Sequence, residues 1–168
     1  MSILAPFLPA HLPLLASWLE RPHVAAWYPT PDRDMQIATS PPAGGSHAVI
    51  VSGGEPVGYM RWQHVDRETL DELGLHEIPA NSVDADILLG DAQSTGKGIV
   101  PAALSALAAE LLRDPEVPMI GLTTSIYNTR AHRAFARAGF AIARQYDPNG
   151  LGPCHLMIRD LRRERGGD

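Results

Sequence analysis

A mixed α/β sheet carrying helices on its faces is the architecture this sequence predicts, and three observations point to it. Two short runs rich in β-formers, residues 47–52 and 57–62, flank Gly53-Gly54-Glu55-Pro56, which is the turn chemistry of an antiparallel hairpin. Ile99, Ala103, Leu104, Leu107 and Leu111 recur at helical spacing and give residues 99–113 a single apolar face. Strand-like and helix-like segments alternate around that helix, an order that suits a sheet with helices packed on it.

Taken in order, Leu12, Leu15, Ala16 and Leu19 predict a helix over residues 9–20, which Pro22 ends before a short turn at 23–28. The stretch 29–46, rich in Pro, Gly, Ser and Thr, reads as a long loop, either a mobile lid or disordered. After the hairpin comes a short helix at 68–73 ended by Gly74, and then a strand over 83–90. Pro101 is compatible with the helix over 99–113, because in the first turn its missing amide hydrogen has no partner to lose. A strand at 117–123, a helix over 128–138 stopped by Gly139, and strands at 140–144 and 156–158 complete the series.

The 168 residues fit one domain, expected to span 1–168. A hydrophobic fraction of 45% with 20% charged residues is ordinary for a chain that folds on its own. Apolar stretches stop well short of the roughly 20 residues that a bilayer-spanning helix needs, so no membrane partner is expected and the cytoplasm is the predicted location. Cys154 is the single cysteine, which excludes an internal disulfide and a cysteine-based metal cluster. The histidines at 11, 23, 47, 64, 76 and 132 show no ligand spacing, and no metal is predicted. A net charge of -5 argues against a nucleic-acid partner. Acids gather between Asp66 and Asp86 against a single Arg67, a bias that suits a cationic small molecule, whereas the arginines at 159, 162, 163 and 165 read as a solvated end.

The most informative residues are Gln93-Ser94-Thr95-Gly96-Lys97-Gly98, between the strand that ends near Gly90 and the helix that starts at Ile99. Glycines at 96 and 98 permit a tight turn and keep side chains away from a ligand. The unpaired amides of the first helical turn, aligned with the helix dipole, form a site for a pyrophosphate, and Lys97 adds a charge nearby. The pattern is neither the dinucleotide fingerprint, which needs a third glycine in register, nor a P-loop, which ends in Gly-Lys-Ser/Thr.

Gln93, Gly96 and Gly98 resemble the cofactor signature Gln/Arg-x-x-Gly-x-Gly/Ala of the GNAT acetyltransferases. Asn128-Thr129-Arg130-Ala131, then Phe135 and Ala138-Gly139-Phe140, are similar to a second element of that family. The resemblance implies a mostly antiparallel sheet splayed around an acetyl-CoA site, with helices on both faces. It implies cofactor contacts from Ile87, Leu88 and Leu89, from Gln93, Ser94, Thr95, Gly96, Lys97, Gly98 and Ile99, and from Asn128, Ala131 and Phe135. Residues 21–28, 54–59, 84–89 and 112–117 further resemble the aminoglycoside 6'-N-acetyltransferases and their siderophore-acylating relatives.

Acetyl transfer to an amine needs a neutral nitrogen, and an alkylammonium with a pKa near roughly 10 must first lose a proton. Asp86 resembles the strand aspartate that the aminoglycoside-type enzymes use near the acceptor amine; Asp84, two residues away on the same face, is the alternative. Many family members carry a tyrosine where this chain has Phe135, which leaves Tyr127 and His155 as candidate acids for the departing thiolate, or no acid at all, since coenzyme A is a tolerable leaving group. Trp27 and Tyr28 are candidate walls for the acceptor, and Glu72 and Glu77 candidate sites for further ammonium groups. The acceptor expected is an aminoglycoside 6'-amine; a siderophore hydroxylamine, a protein amine, or a non-catalytic acyl-CoA sensor are the rival readings. A monomer or a homodimer is expected.

Overall fold

The computed structural model describes residues 3–148, 150 and 152–166. Seven strands form one sheet in the order β1-β2-β3-β4-β5-β7-β6. The first, β1 (Leu4–Pro6), had no counterpart in the sequence reading; it is three residues long and lies at an edge, where a proline costs no ladder bond. The hairpin is β2 (Gly45–Ser52), which starts two residues earlier than its apolar run suggested and ends where expected, and β3 (Glu55–Val65), longer at both ends. β3 pairs antiparallel with β4 (Ser82–Leu89), placing Arg61 opposite Asp86 and Gln63 opposite Asp84. Then β4 runs parallel to β5 (Met119–Ser125), the one parallel pairing in the sheet. β7 (Cys154–Asp160) inserts between β5 and β6 (Ala141–Tyr146), an order that local periodicity does not encode.

Helices cover both faces. On one, α5 (Ile99–Leu111) and α6 (Thr129–Arg137) bury Ala103, Leu104, Leu107 and Phe135 against Met60, Val83, Ala85 and Ile120. The other face carries α1 (Leu12–Leu19) and α2 (Pro22–Ala25), with Leu15, Trp18 and Val24 packed on Tyr59 and Leu88. α4 (Arg67–Glu72) and the segment after it cover the far end of that face with Leu70, Leu75 and Ile78. Gly90 lies under Trp18 so closely that any side chain there would collide with the indole, which fixes the end of β4.

Two expectations require correction. The 29–46 stretch is not one loop: residues 31–39 form α3 (Pro31–Thr39). Pro31 stands in its first turn and Asp32 and Asp34 complement the positive end of its dipole, while Met35 and Ala38 join the α1 core. So few apolar positions between four prolines concealed the helical period. The basic C-terminal end is likewise not merely solvated, because 161–166 forms α7 (Leu161–Gly166) with Leu161 fully buried. Arg165 donates to the carbonyl oxygens of Leu111, Leu112, Asp114 and Val117, satisfying acceptors beyond the last turn of α5. Arg159 donates to the Ala138 carbonyl at 3.0 Å and pairs with Glu164, whereas Arg162 and Arg163 stay exposed beside Asp160.

Candidate active site

The parallel pairing of β4 and β5 is short. Its register holds for Val83, Asp84 and Ala85 against Ile120, Gly121 and Leu122, and then the two strands part. Asp86, Ile87, Leu88 and Leu89 remain bonded to β3 on one side and have no strand partner on the other. Half of the backbone donors and acceptors of a strand point to each neighbour, so this open edge of β4 offers amides to a ligand, while the Ile87 and Leu89 carbonyls accept from Tyr28 and His23. A cleft of about 1460 Å³ follows the gap, lined by residues 82–89 on one wall and by Leu122, Thr123, Thr124, Ser125 and Asn128 on the other.

One end of the cleft is built from backbone. After β4, Asp91 accepts from the Gln93 amide, and a single 3₁₀ turn (Ala92–Ser94) leads into Gly96 and Gly98, both in the left-handed region at φ +77° and +76°. Only glycine holds that conformation without strain. The amides of Ser94 and Thr95 are taken by the carbonyls of Asp91 and Ala92. Those of Gly96, Lys97, Gly98, Ile99 and Val100 have no backbone acceptor among the described residues. The open donors therefore begin at Gly96, directly after the residues bonded within the 3₁₀ turn. Thr95, Gly96, Gly98 and Ile99 line the cleft; Gln93, Ser94 and Lys97 do not.

Three arginines of α6 escaped the sequence reading. Arg130 donates to the Thr95 hydroxyl at 3.0 Å, the Arg137 guanidinium lies within van der Waals reach of where a Gly98 side chain would start, and Arg133 lines the cleft with both. Their spacing of three and then four residues, one helical face, was the signal available. Asn128 caps α6 by accepting from the Ala131 amide at 3.2 Å, and Ala131 and Phe135 both line the cleft.

The other end is built from side chains. Asp86 has both oxygens engaged: Oδ1 accepts from the Tyr28 hydroxyl at 2.7 Å and Oδ2 from Arg61 Nη2 at 2.9 Å. The same Nη2 reaches Asp34 Oδ1 at 3.0 Å, tying α3 to β3 and β4. Tyr28 shares its one hydrogen with the Ile87 carbonyl at 2.8 Å. Burial, reinforced by the Asp86 charge, raises the Tyr28 hydroxyl well above its usual pKa, so it stays a donor. Burial also raises Asp34, against the pull of Arg61.

Asp84 differs from Asp86. Its carboxyl is exposed to the cleft, no described side chain pairs with it, and its β5 neighbour is Gly121, which places no side chain beside it. Although its surface opens on the cleft, the carboxyl sits on the cleft floor with protein packed around it on both walls. That burial, with the Asp86 charge second, raises its pKa to about 7, while Arg61 lowers it.

A model of the acetyltransferase (GNAT) domain matches residues 8–148. The chain belongs to the GNAT acetyltransferase family. This GNAT chain is 30% identical over 138 residues to the aminoglycoside N(6')-acetyltransferase type 1 of Klebsiella pneumoniae, a match covering 77% of this chain and 68% of that one. The enzyme of the same name from Serratia marcescens matches equally. Among solved structures, aminoglycoside acetyltransferase AAC(6')-Ib in complex with coenzyme A and kanamycin superposes at a TM-score of 0.79, with 28% identity and 98% of each chain covered. Its complex with paromomycin and acetyl-CoA gives 0.79 and 27%, covering 96% of this chain and 94% of that one.

The remaining site expectations separate on this GNAT scaffold. Trp27 and Tyr28 line the cleft beside Asp86, and Trp27 is 43% exposed. Tyr127 lines it at the mouth, 72% exposed. His155 is turned away: its Nδ1 lies 2.9 Å from His132 Nε2, and His132 Nδ1 donates to the Asn128 carbonyl at 2.8 Å. Neither histidine borders the cleft. Glu72 and Glu77 do not border it either, and Glu77 accepts from Arg144 at 3.0 Å. Among the described residues no His, Cys, Asp and Glu group is arranged to hold a metal ion, and no helix is long and apolar enough to cross a membrane.

Proposed function

We propose that this chain transfers the acetyl group of acetyl-CoA to a primary amine of a cationic small molecule, the 6'-amine of an aminoglycoside. The observation that carries the reading is the direct continuation of the strand bearing Asp84 and Asp86 into the glycine turn with its open amides, four of them on the cleft-lining residues Gly96, Gly98, Ile99 and Val100. The coenzyme A pyrophosphate lies on those amides, with Arg130 and Arg137 beside it. Its pantetheine arm runs along the open edge of Ile87–Leu89 past Asn128, and a free β4 amide polarises the thioester carbonyl. An ammonium drawn to the carboxylates gives up a proton there, and its lone pair attacks the carbonyl carbon. The C–N bond forms, the C–S bond breaks, and the thiolate takes the surplus proton of the new amide nitrogen, so Phe135 demands no separate acid. The names of the relatives favour an aminoglycoside acceptor and, with it, a role in antibiotic resistance in the cytoplasm, where acetyl-CoA is made.

Release of free coenzyme A thiol, followed with kanamycin, a hydroxylamine and a peptide α-amine, tests this. Turnover with kanamycin and a product acetylated at the 6'-nitrogen is the expected result. Turnover confined to the hydroxylamine or the peptide moves the assignment to those acceptors, and acetyl-CoA binding without turnover on any of them makes the chain an acyl-CoA sensor.

A further inference from the structure

Two carboxylates share the cleft floor, and their surroundings are unlike. Asp86 is held on one oxygen by Tyr28 and on the other by Arg61. A proton placed on Asp86 cancels the charge that strengthens both bonds, and the Arg61 guanidinium is then left with one anionic partner, the buried Asp34, instead of two. Asp84 has no such partners to lose, and Gly121 leaves its cleft side open. Strand alternation puts both on one face, two residues apart, so an amine drawn to the pair meets both.

We infer that Arg61 divides the work between them: by fixing Asp86 and Asp34 as ion-paired anions it leaves Asp84 as the carboxylate that accepts the proton of the acceptor ammonium. In this arrangement Arg61 is a positioning residue, Asp86 the immobile anion against which the amine is oriented, and Asp84 the catalytic base. The step is R–NH₃⁺ plus the Asp84 carboxylate giving R–NH₂ plus the Asp84 carboxylic acid, which later returns its proton to water. This inference rests on the proposed transferase reading and goes beyond it, because the ion-paired aspartate is the one expected from the sequence.

The charges bearing on Asp84 are few. From β4 itself Asp86 raises its pKa, and from β3 Arg61 lowers it; Gln63, its register neighbour on β3, is neutral. From β6 the nearby titratable group is Tyr146, hydrogen-bonded to Thr123 of β5 at 2.6 Å and raised chiefly by burial, hence uncharged at neutral pH. A base near pH 7 suits proton abstraction at physiological pH, since it is both largely ionised and still basic.

Carbon-detected NMR of the aspartate carboxylates across pH, in wild type and in Arg61→Gln and Arg61→Lys, tests the division without any acceptor. Asp84 is expected to titrate near pH 7 in wild type, to move up by about one unit in Arg61→Gln, where a cation is lost, and to return in Arg61→Lys. In parallel, the pH profile of kcat/KM with kanamycin should show an acidic limb that tracks the NMR value in each variant. Asp84→Asn should lose that limb and about 100-fold or more in kcat, whereas Asp86→Asn should keep it. A limb that persists in Asp84→Asn and vanishes in Asp86→Asn overturns the inference, as does an Asp84 that titrates near 4. Should kanamycin not be turned over at all, the acceptor assignment fails and the NMR titration alone decides the division of roles.

Discussion

The two ends of the cleft are made of different materials. The end proposed for the cofactor consists of main chain: a strand edge freed by the parting of β4 and β5, then amides presented by a turn whose glycines sit at φ +77° and +76°. The end proposed for the acceptor consists of side chains from four separate segments, with Tyr28, Asp34, Arg61, Asp84 and Asp86 assembled over up to 58 positions of sequence. The difference teaches where specificity can change. Backbone donors recognise a pyrophosphate whatever the neighbouring side chains, so the donor end is hard to alter by substitution, whereas one exchange at position 61 redistributes the charges around the amine.

Several variants would break or sharpen that contrast. The largest effect is expected at Asp84: Asp84→Asn should lower kcat by about 100-fold or more and leave acetyl-CoA affinity unchanged, as measured by steady-state kinetics beside calorimetry. Gly98→Val comes next. A β-branched residue in the left-handed region costs on the order of 1–3 kcal/mol, so acetyl-CoA affinity should fall roughly tenfold to a hundredfold while the Asp84 titration stays in place. Arg130→Ala and Arg137→Ala should weaken acetyl-CoA only a few-fold, about 1 kcal/mol each, by an amount that shrinks as salt rises, and leave the acceptor KM alone.

Stability supplies a further, pH-dependent contrast. Because the folded pKa of Asp84 is raised from 3.8 to about 7, its contribution favours the fold fully below pH 4 and is lost as pH rises through 7. Asp84→Asn removes that loss, so its melting temperature should exceed that of wild type at pH 8, and the difference should narrow steadily between pH 7 and pH 4. A melting difference independent of pH would mean that Asp84 is solvated like any surface carboxylate.

The same contrast explains what the sequence disclosed. Gly96, Gly98 and Asn128 shape local geometry, a turn and a helix cap, within a few residues of themselves, so the motif made that turn and cap legible in the sequence. The strands and the long helix were legible for the same reason, since an apolar period reports one buried face. Arg61 gave no such signal: it reads as an ordinary polar residue of a hairpin strand until antiparallel pairing sets it opposite Asp86. Asp34 lay within a stretch whose prolines masked α3, and so the ion pair that distinguishes Asp86 from Asp84 was invisible before folding. The excess of acids at 66–86 suggested a cationic ligand, but of those acids only Asp84 and Asp86 border the cleft, while Asp66 caps α4 and Glu77 is spent on Arg144.

The most direct test of the division between a backbone-built donor end and a side-chain-built acceptor end is a calorimetric titration of acetyl-CoA into three proteins: wild type, Gly98→Val and Asp84→Asn. Equal dissociation constants for wild type and Asp84→Asn, with a weakening of tenfold or more in Gly98→Val, are the predicted result. No heat with wild type, or an Asp84→Asn that binds as poorly as Gly98→Val, would contradict it.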